Sequence, residues 1–315
     1  MNWGNREGHV WSIILAGGDG VRTQPFIRRW LGEDKPKQYC AFVGTRSMFQ
    51  HTVDRAAKLS PAERIVVVAA RHHQDEVWAQ LDRRSVGMVL LQPNNAGTAP
   101  GIFLPLTYIR ARDPHATVIV YPSDHFIYPE ERFLTLVDHA VCTSTLRQGR
   151  PILLAALPDG LELEYGWIEP GPVMAWTGRH QVREVRAFLE KPDHAQARRA
   201  MARGAVWNTL VIAAKADALW ELGRRCVPEI MPLFKRLRDA IDTPHEVRVL
   251  EHIYQEMPNL NFSSDVLQRI PEQLGVMGLS GVVWSDWGKP ERIATTLEKI
   301  GKQPAFAMEH LVAIA

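Results

Sequence analysis

Three glycines within four residues, Gly17, Gly18 and Gly20, follow the apolar run 10–16, and Arg22 comes two residues later. Glycine adopts left-handed backbone at little cost and lets main-chain amides approach a ligand closely. Amides in such a turn form a concavity that accepts phosphate oxygens. The segment is not a Walker loop, and it lacks the last glycine of the dinucleotide fingerprint because Thr23 stands there. The glycines alone are equally compatible with a structural turn.

The cationic segment 35–38, with sequence KPKQ, supports the ligand-binding interpretation. On its own such a segment is typical of a solvated loop. Here it comes shortly after a glycine-rich turn that already carries Arg22, and Lys37 supplies a further cation. Cationic side chains beside a glycine turn are what a triphosphate requires. The two segments together therefore favour a site for a nucleoside triphosphate.

Polar residues also follow two later apolar runs. The segment 92–100 reads QPNNAGTAP, and the segment 122–125 reads PSDH. Side chains at the carboxyl ends of strands face the ligand crevice of an open α/β sheet, although Asn and Thr also serve in turns and helix caps. Asp124 is well placed to hold a hard divalent ion on phosphate oxygens, with capping of a helix as the alternative.

The second half of the chain carries candidates for a sugar site. Glu169 and Glu190 could accept hydrogen bonds from sugar hydroxyls, and Lys191 could neutralise a phosphate. The alternative is that all three are surface charges at strand ends. Segment 207–209, WNT, could add an aromatic wall and an amide, or simply pack in the core. Asp286, in the segment SDWG, is a candidate second metal ligand or a turn residue.

The elements that must position these residues alternate in type through the first half of the chain. Apolar and β-branched runs predict strands, and helical spacing of apolar residues predicts the segments between them. The predicted strands are 10–16, 64–70, 88–91, 117–121 and 151–157, and the predicted helices are 48–59, 73–83, 97–111 and 130–146. Such alternation predicts an α/β fold with a mostly parallel sheet and helices on both faces.

The pattern changes after residue 157. Strands at 164–171 and 183–190 are predicted to flank a loop and to pair antiparallel, and the runs 275–279 and 281–284 are interpreted as a late hairpin. The remaining predicted elements are a helix at 192–203, a strand at 206–214, helical segments through 216–254 and a closing helix at 290–300.

Composition excludes several classes of protein. The 315 residues are 46% hydrophobic and 23% charged, as in ordinary globular chains. A net charge of +2 gives no support to a nucleic-acid or membrane-surface role. Three scattered cysteines and the lack of a signal-peptide pattern predict a cytoplasmic protein. The 12 histidines show no metal-ligand spacing and are interpreted as surface or packing residues.

Taken in order, these segments resemble the sugar-phosphate nucleotidyltransferases, especially bacterial mannose-1-phosphate guanylyltransferases. The resemblance covers nearly the whole chain, from residue 13 to 288, and each motif alone is weak. The matching segments are LAGGDGVR (15–22), KPKQ (35–38), QPNNAGTAP (92–100), PSDH (122–125), YGWIEPG (165–171), FLEKP (188–192), WN (207–208) and SDWG (285–288). One departure is WNTLVIAAK, which stands where the family pattern reads WNSGxF, so that Leu210 replaces a glycine.

The resemblance implies a Rossmann-like sheet with a sugar-binding subdomain and a helical C-terminal part. It implies one domain over 10–300, with a nucleotide half at 10–157, a sugar-phosphate half at 158–288 and a C-terminal helix and tail at 289–315. It implies catalytic roles for Arg22, Lys37 and Asp124, and Mg²⁺ held by Asp124 and Asp286. The implied nucleotide-binding residues are Leu15, Ala16, Gly17, Gly18, Gly20, Arg22, Gln92, Asn95, Gly97 and Thr98. The implied sugar-phosphate-binding residues are Gly166, Glu169, Glu190, Lys191 and Asn208.

The reaction implied is transfer of a nucleotidyl group from GTP to mannose 1-phosphate, giving GDP-mannose and pyrophosphate. Two alternatives stay open: the same chemistry with another hexose 1-phosphate or nucleotide, and a non-catalytic regulatory subunit that binds nucleotide sugars. No nucleic-acid or membrane partner is expected. The oligomeric state is also open, a homodimer being one option.

Overall fold

The computed structural model describes residues 9–146 and 149–310. The strands are β1 (Val10–Leu15), β2 (Ile65–Ala70), β3 (Met88–Gln92), β4 (Thr117–Pro122), β5 (Phe126–Tyr128), β6 (Ile152–Ala156), β7 (Gly166–Thr177), β8 (His180–Glu190), β9 (Val206–Lys215), β10 (Gly275–Gly278) and β11 (Val283–Ser285). The helices are α1 (Gln24–Leu31), α2 (Met48–Ala56), α3 (Gln74–Leu81), α4 (Thr98–Arg112), α5 (Glu130–Leu146), α6 (His194–Ala202), α7 (Ala216–Cys226), α8 (Met231–Ala240), α9 (Glu246–Glu256), α10 (Phe262–Asp265) and α11 (Pro290–Lys299). The last five residues of the predicted tail, 311–315, lie outside the described residues.

One large sheet organises the chain, with strand order β3-β2-β1-β4-β9-β6-β10-β8-β7. Strands β3, β2, β1 and β4 are parallel neighbours. Within the described residues, only β8 and β9 of these nine strands run against the others, because β4, β6 and β7 all pair antiparallel with β9 and β7 and β10 pair antiparallel with β8. The predicted α/β class with a mostly parallel sheet is thus confirmed.

The apolar strands are uninterrupted because both faces of the sheet are covered. In β2, Val66 and Val68 belong to the core beneath α4, α7 and α8. Ile65, Val67 and Ala69 belong to the core on the other face, together with residues of α2, α3 and α5. Alternate residues of one strand therefore stabilise two separate hydrophobic layers, and the parallel strands deliver their carboxyl ends to one shared edge.

A third, smaller core positions the segment around Asp286. Trp287 is fully buried, stacks on Phe126 with ring centroids 4.4 Å apart and meets Phe42 edge-on at 5.4 Å. Phe26 of α1 and Leu297 of α11 belong to the same cluster. This aromatic packing holds the segment that follows β11 against the first loops of the chain, although the two are far apart in sequence.

Two sequence predictions need correction, and some elements were not predicted. The runs 275–279 and 281–284 are not a hairpin, because β10 pairs with β6 and β8 whereas β11 pairs with β5. Gly281 lies between them at φ +74°, and the carbonyl of Ser280 accepts a hydrogen bond from Arg132 Nε at 2.8 Å, which binds this turn to α5. The loop expected at 172–182 is mostly strand, leaving only residues 178–179 between β7 and β8. Helix α1 and strand β5 lie in segments where no element was predicted.

Helices in the described residues are all too short or too polar to cross a bilayer.

Candidate active site

A cleft of about 520 Å³ opens at the carboxyl edge of the parallel strands. Of the predicted site residues, thirteen line it: Leu15, Gly17, Gly18, Arg22, Gln92, Asn95, Gly97, Thr98, Asp124, Gly166, Glu190, Asn208 and Asp286. Ala16, Gly20 and Lys37 are not among the residues that line it. The structure therefore brings together residues as far apart in the sequence as Leu15 and Asp286.

The glycine-rich turn after β1 is fixed by the segment that follows it. Gln38 Nε2 donates to the carbonyl oxygens of Ala16 and Gly18 at 3.1 and 2.7 Å, and the Tyr39 hydroxyl donates to Ala16 at 3.0 Å. Gly20 has φ +63°, and a Cβ there would lie 3.0 Å from the backbone nitrogen of Lys37. The turn and the KPKQ segment are thus one structural unit, and glycine is required where they touch.

Lys37 is a buried cation beside this cleft, and its ammonium contacts two residues that line it, Asp124 and Asp286. Its side chain is 4% exposed. The ammonium nitrogen lies 3.0 Å from Asp124 Oδ2 and also donates to the backbone carbonyl of Asp286. Arg22 lies nearer the mouth, half exposed, with Nη2 3.2 Å from Asp286 Oδ2 and Nη1 3.8 Å from Glu164 Oε2. Two cations, Lys37 and Arg22, therefore contact the two carboxylates that are predicted to hold a metal ion.

Three hydrogen bonds to one carboxylate oxygen hold Asp286 in place. Its Oδ1 accepts hydrogen bonds from the Tyr165 hydroxyl at 2.5 Å, the Gly288 amide at 2.9 Å and Arg292 Nη1 at 3.0 Å. Burial alone would raise the pKa of Asp286, but the nearby Lys37 ammonium, then the Tyr165 hydroxyl and the Gly288 amide, outweigh burial and lower it well below its usual range. The carboxylate is consequently ionised at neutral pH.

The surroundings of Asp124 also lower its pKa. Burial favours a higher pKa, but Lys37 and His125 together lower the pKa of Asp124 below its usual value. Asp124 follows β4, a central strand of the nine-stranded sheet that lies between β1 and β9, as the sequence predicted. The cleft therefore contains two ionised carboxylates that lie beside one buried ammonium.

The segment between β3 and α4 forms the end of the cleft that is predicted to hold the nucleotide. Gly97 has φ +88°, and a Cβ there would lie 2.3 Å from the carbonyl oxygen of Leu260. Thr98 Oγ1 accepts from the amide of Phe262 at 2.8 Å, so the hydroxyl joins α4 to α10 and does not cap α4. Gln92 is almost fully buried and its Oε1 accepts from the Tyr254 hydroxyl at 3.1 Å. Contacts within the chain therefore fix the backbone of this segment.

The opposite end of the cleft contains the start of β7 and the end of β8. A Cβ at Gly166 would lie 2.7 Å from Glu190 Oε2 and 3.2 Å from the Cβ of Asn208, so the three predicted sugar-site residues that line the cleft meet here. Burial raises the pKa of Glu190, while the neighbouring Lys191 acts to lower it. A partly desolvated carboxylate beside an amide is a suitable acceptor set for hydroxyl groups.

A bulge in β9 turns Asn208 toward this wall. Leu154 of β6 pairs with Val211, but Ala155 pairs with Asn208, so Thr209 and Leu210 are extra residues. Thr209 Oγ1 donates to the Leu154 carbonyl at 2.5 Å. Leu210 lines the cleft with φ +55°, a conformation that costs a non-glycine residue about 1–2 kcal/mol. The departure noted in the sequence therefore places a strained leucine in the cleft wall.

Two predicted sugar-site residues lie outside the cleft lining. Glu169 is buried, and its carboxylate lies 3.3 Å from Arg203 Nη1. Lys191 is exposed at φ +45°, and its amide donates to the Tyr165 carbonyl at 3.2 Å. Their roles stay predictions.

The sequence interpretation missed the groups that hold Asp286. Tyr165 lies in a motif that was recognised, yet no role was assigned to its hydroxyl. Arg292 Nη1 also donates to the Tyr165 hydroxyl, and Arg292 Nη2 contacts the Glu162 carboxylate. No sequence signal distinguishes Arg292 from Lys299, the other cation of α11, because only folding brings this helix to the β7 segment.

Comparisons with known proteins agree with this geometry. The family model described as Nucleotidyl transferase matches residues 11–303. The xanthan biosynthesis protein XanB of Xanthomonas campestris is 30% identical over 93% of this chain, and a mannose-1-phosphate guanylyltransferase of Escherichia coli is 27% identical over 90%. This chain spans 60% and 58% of those two relatives, respectively.

A solved structure from Thermus thermophilus, described as a mannose-1-phosphate geranyltransferase, superimposes with a TM-score of 0.76. It is 26% identical, and the match covers 91% of this chain and 79% of that one. Because the family model extends over nearly all of the elements that build the cleft, the chain belongs to the nucleotidyl transferase family.

Proposed function

We propose that this chain transfers a nucleotidyl group from GTP to mannose 1-phosphate, giving GDP-mannose and pyrophosphate. The observation that carries the proposal is the arrangement around Lys37, whose buried ammonium contacts two residues of the cleft lining, Asp124 through its carboxylate and Asp286 through its backbone carbonyl. A glycine-rich turn forms one side, and the Glu190 and Asn208 wall forms another. Similarity to proteins named mannose-1-phosphate guanylyltransferase supports the choice of substrates.

The chemistry asks little of the protein beyond alignment and charge. A sugar phosphate oxygen is already anionic near neutral pH, so it can attack the α-phosphate of the nucleotide without a protein base. Pyrophosphate leaves with the electrons of the broken P–O bond. Arg22 and Lys37 would stabilise negative charge on the phosphates, and such preorganised charge is often the largest contribution to catalysis.

The residues fit the magnesium ion that the family resemblance implies. Mg²⁺ prefers carboxylate and phosphate oxygens, and Asp124 and Asp286 supply carboxylates that are ionised at neutral pH because the pKa of each lies below its usual value. A bound Mg²⁺ would polarise the α-phosphate and orient both substrates. Tyr165, Arg292 and the Gly288 amide fix the orientation of Asp286 for this role.

The sugar phosphate has a natural place at the Gly166 end of the cleft. Gly166 leaves room between Glu190 and Asn208 that any Cβ would fill. Glu190 and Asn208 offer acceptors and a donor for hexose hydroxyls, and Lys191 lies one residue beyond Glu190 in sequence. A cytoplasmic location and a homodimer stay predictions of the sequence.

A substrate panel tests the proposal. Pyrophosphate release would be measured with four nucleoside triphosphates against several hexose 1-phosphates in the presence of Mg²⁺, with the variant Asp124→Asn prepared in parallel as the control for contaminating activity. The proposal predicts the highest kcat/KM for GTP with mannose 1-phosphate. Another preferred pair would overturn the choice of substrates but leave the reaction class standing. Release no faster than from Asp124→Asn with every pair would instead favour a non-catalytic subunit that binds nucleotide sugars.

A further inference from the structure

Two histidines that the sequence interpretation assigned to surface or packing roles meet an aspartate of the glycine-rich turn. His72 Nε2 lies 2.8 Å from Asp19 Oδ1, and His73 Nε2 lies 3.4 Å from the same oxygen. The three potential ligand atoms all lie within 4.8 Å of one another. None of the three residues lines the cleft described above.

The sheet topology brings these residues together. Asp19 lies in the turn after β1, and His72 and His73 lie in the short turn after β2. These strands are parallel neighbours, with Leu15 opposite Val68, so their carboxyl ends meet at one edge. His73 is buried, with its ring edge-on to Tyr39 at 5.7 Å, whereas the His72 side chain is 61% exposed. One ligand is therefore fixed by packing, and another is free to adjust at the surface.

Two imidazole nitrogens and a carboxylate oxygen are the donors of many zinc sites with an open fourth position. We propose that Asp19, His72 and His73 form a site for a divalent metal ion that prefers imidazole ligands, with Zn²⁺ as its representative. Donors at about 2.0–2.2 Å from one ion can be no more than about 4.4 Å apart, so only a small movement of the exposed His72 ring is required.

This site differs in chemistry from the Asp124 and Asp286 pair, which offers carboxylate oxygens. Hard Mg²⁺ favours oxygen ligands, whereas imidazole suits zinc and its neighbours in the transition series. Asp19 lies between Gly18 and Gly20, so a bound ion would cross-link the glycine-rich turn to the turn after β2. The proposal concerns binding alone and does not depend on the proposed reaction.

Calorimetric titration of the chelator-treated full chain with Zn²⁺, without nucleotide or Mg²⁺, tests it. The expected result is one saturable site that weakens at least tenfold in His72→Gln and in Asp19→Asn. His252→Gln serves as the matched control, because His252 is an exposed histidine 3.3 Å from a carboxylate of α9, Glu256, elsewhere on the surface. Both test variants change side chains that are at least one-third exposed, so folding should be retained.

Co²⁺ provides a second readout that identifies the ligands. Imidazole and carboxylate ligation should give visible d–d absorption without the near-ultraviolet charge-transfer band of a cobalt thiolate. Unchanged Zn²⁺ affinity in His72→Gln, a thiolate band, or no saturable binding to the wild-type chain would each overturn the proposal.

Discussion

Replacing Asp286 with asparagine removes one charge and leaves the shape of the side chain intact. The three hydrogen bonds from Tyr165, Gly288 and Arg292 all reach Oδ1, where the amide oxygen of asparagine can stand. The new amide nitrogen would then face Arg22, whose ion pair with Oδ2 is lost. Because Arg22 is half exposed, that pair contributes only about 0–1 kcal/mol to folding.

Charge-assisted hydrogen bonds are roughly twice as strong as neutral ones, so weakening those at Oδ1 adds to the loss. We expect these two losses in Asp286→Asn to lower the free energy of unfolding by about 1–2 kcal/mol, and loss of the attraction to the Lys37 ammonium adds to that. The rate should fall far more, because removing one preorganised transition-state interaction costs about 3–4 kcal/mol, or about a hundred- to a thousandfold in kcat.

The assay is steady-state pyrophosphate release with GTP, mannose 1-phosphate and a titration of Mg²⁺, alongside urea unfolding of the same preparation. Asp217→Asn is the matched control, since Asp217 is an exposed aspartate of α7 paired with Arg110. The reasoning is refuted if Asp286→Asn retains kcat within about threefold of wild type at saturating Mg²⁺. It is also refuted if the rise in activation free energy is no larger than the loss in the free energy of unfolding.

Acid unfolding checks the electrostatic part of the same argument. The pKa of Asp286 is lowered in the folded chain, so its ionisation stabilises the fold above the unfolded-state pKa of about 3.9, and this contribution is lost as pH falls through the folded-state value. The difference in unfolding free energy between wild type and Asp286→Asn should therefore be largest near neutral pH and shrink below about pH 4. A difference independent of pH would show that the carboxylate charge does not stabilise the fold.

Three further substitutions test other parts of the cleft. Arg22→Lys should recover little of the turnover lost in Arg22→Ala, because a point charge lacks the planar donors of guanidinium; full activity in the lysine variant would mean that only net charge matters. Lys191→Met should raise the KM for mannose 1-phosphate about ten- to a hundredfold and leave GTP affinity, measured by calorimetry without sugar, unchanged; the reverse pattern would remove Lys191 from the sugar site. Leu210→Gly should change the free energy of unfolding by less than about 1 kcal/mol, because relief of left-handed strain offsets lost packing. The same variant should alter the relative kcat/KM among hexose 1-phosphates. Identical preferences in the variant and the wild type would show that Leu210 does not shape the sugar pocket.

The parallel half of the fold was predictable because its signals are local. Strands such as β2 are continuously apolar, and α5 begins at Glu130 and ends at Leu146 as predicted. The partners of β10 and β11 were not predictable, since nothing in two short apolar runs shows that one joins β6 and the other joins β5. Pairing across more than 100 residues is decided by packing on both faces of the sheet, which no local pattern records.

The same distinction applies to the cleft. Gly97 and Asp124 line the cleft, as expected for residues next to the start of a helix or the end of a strand, and their binding roles stay predictions. Glu169 was expected there too, but it is buried against Arg203, as the alternation of side chains along β7 allows. Arg292 was missed because its role depends on where α11 packs, and that is set by the aromatic cluster around Trp287.

Label transfer tests the central claim most directly, namely that a sugar phosphate oxygen attacks the α-phosphate of the nucleotide in this cleft. The chain would be incubated with mannose 1-phosphate, Mg²⁺ and GTP carrying ³²P at either the α or the γ position, and the products would be separated. The account predicts that α-label appears in a nucleotide sugar and γ-label in pyrophosphate, both only when sugar phosphate is present. Transfer of γ-label to the sugar phosphate, or release of label independent of it, would contradict the account.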